Sequence, residues 1–427
     1  MKFVELDKDE FKAFLNNHPL QTFFQDPAMA EIGLMDNWNT VYVGIKENNQ
    51  ILAATRMMYK EVRLNQRIFY APRGILIDYQ DTKLLSFFIK NVKKYIKNNN
   101  GYTFHIDPPL IHKQRDIDGN IIPDGIDNSN VVNLLKSLGF KHDGFITHYD
   151  YTKQVRWSFE LPLLNKTEED ILKEMNGNTR RAIKKAEHLQ VKVRELTREE
   201  LPLFKEIMDH TSERRDFTDK SLEYYIKMYD LFHDKKEIKY MIAEVNLTDT
   251  LEVLNNDLDS LNVTKNRAIK NNKEALLKET DNQIVDLEKR IDEIKNIIQE
   301  KGNNLYLASA MFMIYGNDIM YYHSGGYKEY MSFFGQYLIQ WEMIKLAIEL
   351  GKNCYNFYGI KGVFDKKDPD YGVYLFKKGF NGHVVEYIGD FYFPNSMYYY
   401  LQQLRKKVKN GICRIKSRWI WYFFKKL

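Results

Sequence analysis

A chain of 427 residues, 44% of them hydrophobic, is long enough for two or more sizeable cores, so two domains plus an appendage are expected. Charge is plentiful but nearly balanced at +5, which leaves any basic partner surface local rather than global. Two cysteines, Cys354 and Cys413, exclude a disulfide framework and a cysteine-built zinc site, and no apolar run reaches the roughly 18 residues of a membrane span.

The N-terminal stretch MKFVELDKDEFKAF is charged from the start and has no apolar h-region, so a cytoplasmic chain without a signal peptide is expected. "TVYVGIK", the turn "ENNQ" and "ILAATRMMYK" then read as a hairpin, and "QRIFYAPRGILIDY" as a third strand ending in an Arg-Gly turn. In "DTKLLSFFIKNVKKYIKNN" the residues Leu84, Leu85, Phe88, Val92 and Tyr95 share one helical face. The strand "YTFHIDP" and the segment "VVNLLKSLGFKHDGF" close this half. Asp107 ends that strand, where α/β folds place functional groups, but it also precedes Pro108 and suits a chain reversal. His105, on the same strand, reads as a packing histidine. The ten histidines show no HxxxH or comparable spacing, so no metal is expected.

"GNTRRAIKKAEHLQVKVR" (177–194) reads as a helix followed by a strand. Arg180 and Lys184, like Arg181 and Lys185, are four residues apart, and no carboxylate intervenes before Glu187, a pattern that favours phosphate contact over a merely solvated face. From residue 238 the order of the first half recurs: "IKYMIAEVN", "LYLASAMFMIYG", "DIMYYHSGGY", the helix "GQYLIQWEMIKLAIELG", the strand "NCYNFYGI" and "GVYLFKKGFNGHVVEYIGDF". The halves read as duplicated α/β domains.

Where the first copy turns its hairpin with "ENNQ", the second carries residues 247–303. Leu247, Leu251, Leu254, Leu258 and Leu261 form a heptad seam on one arm, and Ile284, Leu287, Ile291, Ile294 and Ile298 on the other, so the insertion is expected to be an antiparallel coiled coil. At 1.5 Å per residue its arms would project about 35–40 Å. Residues 246–263 hold four Asp/Glu and no Lys/Arg, whereas 264–278 hold Lys265, Arg267, Lys270, Lys273 and Lys278 against Glu274 alone. A basic tip on an acidic stalk suits phosphate contact, and dimerisation is the competing use of such a coil. The C-terminal "LRKKVKNGICRIKSRWIWYFFKKL" combines nine Lys/Arg, no acid and a Trp/Tyr/Phe cluster, as a membrane-surface segment would; a nucleic-acid tail and a packed helix are the other readings.

Taken in order, "FYAPRGILIDY", "HIDP", "QVRWSFELPL", "YYHSGGY", "QWEMIKLAI", "YNFYGI" and "YGVYLFKKGFN…EYIGDF" resemble the Fem family of peptidoglycan aminoacyltransferases over almost the whole chain. The resemblance implies an α/β (α+β) fold: two tandem GNAT-like (acetyltransferase-like) domains, 1–152 and 153–395, with the coiled-coil hairpin 246–303 inserted in the second and a basic aromatic tail at 396–427. It implies transfer of an amino acid from aminoacyl-tRNA to an amine on a lipid-linked or nucleotide-linked peptidoglycan precursor, with no cofactor. Lys377 and Phe376 match a Phe-Lys pair that the family places at the reaction centre, although by itself Lys377 reads as an exposed lysine beside Lys378. Asp107 would be the proton acceptor. Lys220, one helical turn before Tyr224, and Tyr322, with Tyr321 as the registry alternative, would bind precursor. Where some relatives carry a lysine in the first-domain helix, this chain has Gly33. Arg180, Arg181, Lys184, Lys185, Lys265, Arg267, Lys270 and Lys273 would contact tRNA. An acyl-CoA N-acyltransferase and a non-catalytic coiled-coil scaffold are the alternatives. Against the former, no Q/R-x-x-G-x-G/A pyrophosphate loop is present. Oligomeric state is left open.

Overall fold

The computed structural model describes residues 1–150 and 152–409, which form two compact units. The first takes Met1–Trp157, Gly359–Phe364 and the chain from Val384, and the second takes Ser158–Tyr358 and Asp365–His383. In chain order the first unit holds β1 (Lys2–Glu5), α1 (Lys8–Asn16), α2 (Met29–Met35), β2 (Asn39–Glu47), β3 (Gln50–Val62), β4 (Gln66–Ala71), α3 (Thr82–Asn98), β5 (Gly101–Ile106), β6 (Ile111–Gln114), α4 (Ser129–Ser137) and β7 (Lys141–His142). Next come β8 (Trp157–Pro162), α5 (Glu168–Glu174), α6 (Gly177–His188), β9 (Val191–Glu195), α7 (Leu201–Arg215), α8 (Leu222–Phe232), β10 (Ile238–Asn246), α9 (Leu247–Lys270), α10 (Glu274–Lys301), β11 (Asn304–Tyr315), β12 (Asp318–Gly326), α11 (Gly335–Glu349), β13 (Cys354–Gly359) and α12 (Tyr371–Lys378). The chain ends in β14 (His383–Tyr387), β15 (Phe391–Pro394) and α13 (Met397–Lys409).

In the first unit the sheet order is β1-β2-β3-β4-β5-β15-β7. Asn48 and Asn49, both at positive φ, make the tight β2–β3 turn, a conformation asparagine tolerates better than most residues. Because β4 and β5 are parallel, a crossover must join them, and α3 supplies it. Asp81 caps α3 through the amides of Lys83 and Leu84, and the helix buries Leu84, Leu85, Phe88, Ile89, Val92 and Ile96 against the sheet. β15 inserts antiparallel between β5 and β7, and β14 pairs with β6, so residues 384–395 complete the first sheet and its neighbour strand. The expected second domain, 153–395, therefore loses its last segment to the first unit, because a strand's pairing partner is not encoded in its local pattern.

The second unit repeats the plan. β9, β10, β11 and β12 pair antiparallel in succession, and β12 pairs parallel with β13 after the α11 crossover. The β10–β11 connection is the coiled coil. Asn246 ends β10 and caps α9 by accepting from the Thr248 and Asp249 amides, which converts strand to helix within one residue. Gly302, at φ 85, ends α10 and returns the chain to β11. Leu247, Leu254, Ile284, Ile291 and Ile294 are buried in the seam. Leu251, Leu258, Leu261, Leu287 and Ile298 are only half-buried, and near the tip the buried positions are Ala268 and Thr280, since a two-helix seam leaves one side of each leucine open to water. At the root Thr250 Oγ1 donates to Leu189 O at 2.8 Å and His188 Nε2 lies 2.7 Å from Asp257 Oδ2, which ties the coil to the end of α6. The tail expected at 396–427 begins as α13; its Trp419–Phe424 cluster lies outside the described residues.

Candidate active site

The parallel pair in the second unit stays in register only from Asp318↔Cys354 to Met320↔Asn356. Beyond that point the strand ends carry Tyr322 and Tyr358, whose rings meet edge to face at 5.2 Å. The carboxyl ends of parallel strands are where α/β folds open a crevice for ligands. Tyr358 takes the left-handed conformation, φ 59, and is held there by its N–H, which donates to Asn356 Oδ1 at 2.7 Å. Its carbonyl accepts from Lys377 Nζ at 3.3 Å.

Lys377 lies in the last turn of α12 and is 5% exposed. Burial alone pulls its ammonium down to about 7. The neighbouring Lys378, turned about 100° around the helix, instead reaches over the Tyr374 ring at 5.6 Å. From α8, the buried hydroxyl of Tyr224 is hydrogen-bonded to Tyr322, and burial raises its phenol so that it stays protonated. The exposed Lys220 stands 5.4 Å from the centre of the Tyr224 ring. Lys220, Tyr224, Tyr322, Tyr358 and Lys377 thus form one row, with a solvated cation at one end and a buried one at the other. Lys220 precedes α8 rather than lying on it: Ser221 is the N-cap, accepting from the Tyr224 amide, so the contact with Tyr224 is made across the cap and not along a helical turn.

Tyr321 points the other way along β12 and stacks on Phe312 at 5.4 Å. Phe376 is outside the row as well, packing on Tyr337 and Phe380. Two participants carry no signal that sequence reasoning used. Tyr358 has only its position before Gly359 at a strand end. His323 packs 4.3 Å from Tyr322, and burial first, then the charge of Lys220, hold its imidazole neutral with a pKa of about 3.

The corresponding place in the first unit, just past β4 and β5, is filled differently. Asp107 Oδ1 accepts from the Arg73 backbone N–H at 2.8 Å, and Oδ2 lies 3.8 Å from Arg73 Nε. The guanidinium of Arg73 continues to Val155 O at 2.6 Å and covers the Tyr387 ring at 4.6 Å. Burial raises the Asp107 carboxyl to about 6 despite the opposing pull of Arg73. These contacts tie Asp107 to the turn at Arg73, a different place from the reversal at Pro108 that its sequence position suggests. His105 is sandwiched at 4.3 Å between Tyr70 and Tyr392 and contacts Asp390 at 2.7 Å, as a packing histidine should. Gly33 in α2 lies against Trp38, and this helix presents no cation at that position.

On α6, Arg181, Lys184 and Lys185 are exposed, and Lys185 covers Phe334 at 5.6 Å. Arg180 is half-buried and caps α5 through the carbonyls of Leu172 and Lys173, which takes it out of the open face. At the tip of the coil Arg267, Lys270 and Lys273 are exposed around the Asn271–Lys273 turn. Lys265 sits lower on the shaft and pairs with Asp281 at 2.8 Å. Among the described residues no group of three or more His, Cys, Asp or Glu could hold a metal ion, and no helix is long and apolar enough to cross a membrane.

A family model described as FemAB matches residues 6–407. Aminoacyltransferase FemA of Staphylococcus epidermidis is 36% identical over 419 residues, which is 96% of this chain and 100% of that protein. Aminoacyltransferase FemA of Staphylococcus aureus is 36% identical over 422 residues with the same coverage. A crystal structure of FemX superposes with a TM-score of 0.74 at 23% identity, over 95% of this chain and 99% of that one, which is a likeness of fold.

Proposed function

The chain belongs to the FemAB family, and from that membership we infer an aminoacyltransferase that moves an amino acid from aminoacyl-tRNA to an amine of the peptidoglycan precursor stem peptide or of the growing interpeptide bridge. The observation that carries the catalytic reading is the buried Lys377 at the inner end of the row formed with Tyr358, Tyr322, Tyr224 and Lys220.

The reaction is aminolysis of an activated ester. The precursor amine attacks the ester carbonyl, the carbonyl oxygen becomes an oxyanion, and the bond to the tRNA ribose oxygen breaks. The amine's proton leaves through substrate or water and ends on that ribose hydroxyl. No protein nucleophile is needed, because the tRNA ester is already activated. What the site must supply is position and a donor aimed at the oxyanion. Lys377 is assigned as that donor. Low solvation strengthens its field on the developing charge and weakens its hold on its own proton, so at neutral pH it is divided between charged and neutral forms. Lys220, exposed at the outer end of the row, suits the phosphate or carboxylate of the precursor, with Tyr224 and Tyr322 orienting the peptide. Asp107 is assigned to the turn at Arg73 rather than to proton transfer. Phe376 shapes the core beneath α12.

We further assign Arg181, Lys184, Lys185, Arg267, Lys270 and Lys273 to tRNA phosphates, with Arg180 and Lys265 already committed to protein partners. The protein acts in the cytoplasm, and its basic aromatic C-terminal segment contacts the membrane surface, where a lipid-linked acceptor is reached. The direct test incubates the protein with a mixed pool of charged tRNAs and lipid-linked or nucleotide-linked precursor and reads the product mass. A precursor gaining one aminoacyl residue only when charged tRNA is present is the expected result. No mass gain with any charged tRNA would remove the reading.

A further inference from the structure

A tyrosine at φ 59 is strained, because its Cβ crowds the backbone in the left-handed region, and such a residue persists only where its surroundings over-determine it. Gly359, the next residue, could turn the chain without that cost and does not take the conformation. Position 358 instead combines a left-handed backbone with an aromatic ring, the ring meeting Tyr322 at 5.2 Å and the carbonyl accepting from Lys377 Nζ at 3.3 Å. Carbonyl direction follows the local φ and ψ, so in an extended strand the same oxygen would point elsewhere.

What over-determines Tyr358 is Asn356. This residue is 3% exposed, and both ends of its amide are engaged: Oδ1 accepts from the Tyr358 N–H at 2.7 Å and from Ser158 Oγ at 2.8 Å, and Nδ2 donates to Glu160 Oε1 at 3.0 Å. Ser158 and Glu160 are two residues apart on β8, the neighbour of β13 in the sheet, and so share one face. A carboxylate only accepts, so Nδ2 must face Glu160, which leaves Oδ1 for the two donors. Beside Glu160, the Cys354 thiol donates to Oε2 at 3.8 Å, and burial first, then the charge of Glu160, raises the Asp318 carboxyl to about 7. Below that pH Asp318 holds the proton and Glu160 stays an acceptor. Ser158, Glu160 and Asn356 all lie outside the row from Lys220 to Lys377.

We propose that Asn356, anchored by Glu160 and Ser158, is a positioning residue for transfer: it locks Tyr358 in the left-handed conformation and so aims the Tyr358 carbonyl at Lys377 Nζ. The inference rests on the assignment of Lys377 as the oxyanion donor, and it accounts for how a flexible four-carbon stem keeps one direction. The test compares Asn356→Leu, which keeps the bulk and removes the acceptor, with the swapped pair Asn356→Asp and Glu160→Gln, which returns an acceptor to the Tyr358 N–H and moves the amide donor to the other side. In Asn356→Leu, kcat falls at least about ten-fold, since a misplacement of about 1 Å can cost about 100-fold, while KM for both substrates stays within about two-fold. The titration of Lys377 itself, followed by NMR of isotope-labelled lysines and assigned with Lys377→Met, moves to lower pH, because a carbonyl bonded to the ammonium favours the charged form. The swapped pair restores kcat at pH 6 to within about three-fold of the native value and returns that titration to the native position or above it. A general loosening of the core would instead hydrate the ammonium and move its titration towards 10.5. That direction, or no movement, overturns the proposal. So does a swapped pair that melts like the native protein yet has lost about ten-fold or more in kcat, a comparison that does not need Asn356→Leu to fold. Native rates in Lys377→Met would overturn the donor assignment and with it the role in transfer, whereas the titration reads the hold on Lys377 alone.

Discussion

Lys377 holds its charge in a place that resists it, and that tension makes two measurements decisive. Its folded pKa, about 7, lies below the 10.5 of an ordinary lysine. Below pH 7 the folded protein must bury a full charge, and this cost fades as pH rises from about 7 to 10.5. Lys377→Met should therefore raise the thermal midpoint at pH 6, with the gain shrinking steadily towards pH 10.5. The same variant should lose roughly 100- to 1,000-fold in transfer rate, the range for removing one oxyanion donor. In the native protein the rate should fall as pH rises through about 7, and Lys377→Arg should move that descending limb upward whatever it does to the maximum. A limb that stays in place would detach it from Lys377. Asp107 predicts the opposite pattern. Because its partners are Arg73 and the turn beside it, Asp107→Asn should keep transfer within a small factor and be read out as altered stability in a melting curve. A loss as deep as that of Lys377→Met would restore Asp107 to the reaction.

At the scale of elements, the coil is the part of the chain whose purpose depends on its end. The strand-to-helix switch rests on Asn246, which accepts from two amides of α9 and is bonded to Asn303 across the root. Asn246→Ala should cost about 1 kcal/mol, the usual worth of an N-cap, measurable by denaturant titration. The root at Thr250 and the tip at Asn271 lie about 30 Å apart along α9, so cations at α6 and at the tip can meet phosphates that are distant from one another. Arg267→Glu with Lys270→Glu and Lys273→Glu should raise the KM for aminoacyl-tRNA, lower the salt dependence of binding by close to one phosphate contact per residue, and leave circular dichroism unchanged. Unchanged tRNA use with a shift from dimer to monomer would return the coil to an assembly role. Lys265→Glu should matter less for tRNA, since Lys265 already pairs with Asp281.

For the whole molecule, the important fact is that the first unit is not contiguous in sequence. β15 lies between β5 and β7 in the sheet, and Glu386 joins His112, Arg115 and Arg156 in a buried cluster; burial pushes its carboxyl up, but hydrogen bonds from His112 and Arg115 and the charges of Arg156 and Arg115 outweigh that and hold it down to about 2. A fragment of residues 1–152, the first domain as the sequence divides it, should therefore fail to fold. It would expose one edge of β5 and uncover the apolar face that Ile388 and Phe391 bury in the first core, and a strand edge left open beside exposed apolar surface favours aggregation over folding. Expression of that fragment as a monomer with a cooperative melt would refute this. The coil can be removed at less risk, because the matching turn in the first unit needs only Asn48 and Asn49; replacing 248–302 by Asn-Gly should preserve both sheets while impairing aminoacyl-tRNA use.

Much of this architecture was legible without coordinates. Hydrophobic periodicity, the repeated order of strands and helices and the two leucine and isoleucine seams are local properties of the chain, so the duplicated α/β plan and the inserted coil could be read from the sequence alone. The same holds for the order of motifs that marks the family, and for the change of charge along the coil, which depends only on composition. Three things were decided in space. The burial of Lys377 depends on which side of α12 packs inward, a choice its neighbour Lys378 shares equally in sequence. The roles of Tyr358 and His323 arise where β12 and β13 leave register, a point that no single strand specifies. The destination of β15 depends on an open strand edge far away in sequence. Local pattern determines which elements form and which faces are apolar; pairing partners, burial and the resulting shift of a lysine's proton affinity belong to contacts between separate elements, from 19 residues apart for Lys377 and Tyr358 to nearly 300 for β15 and β5.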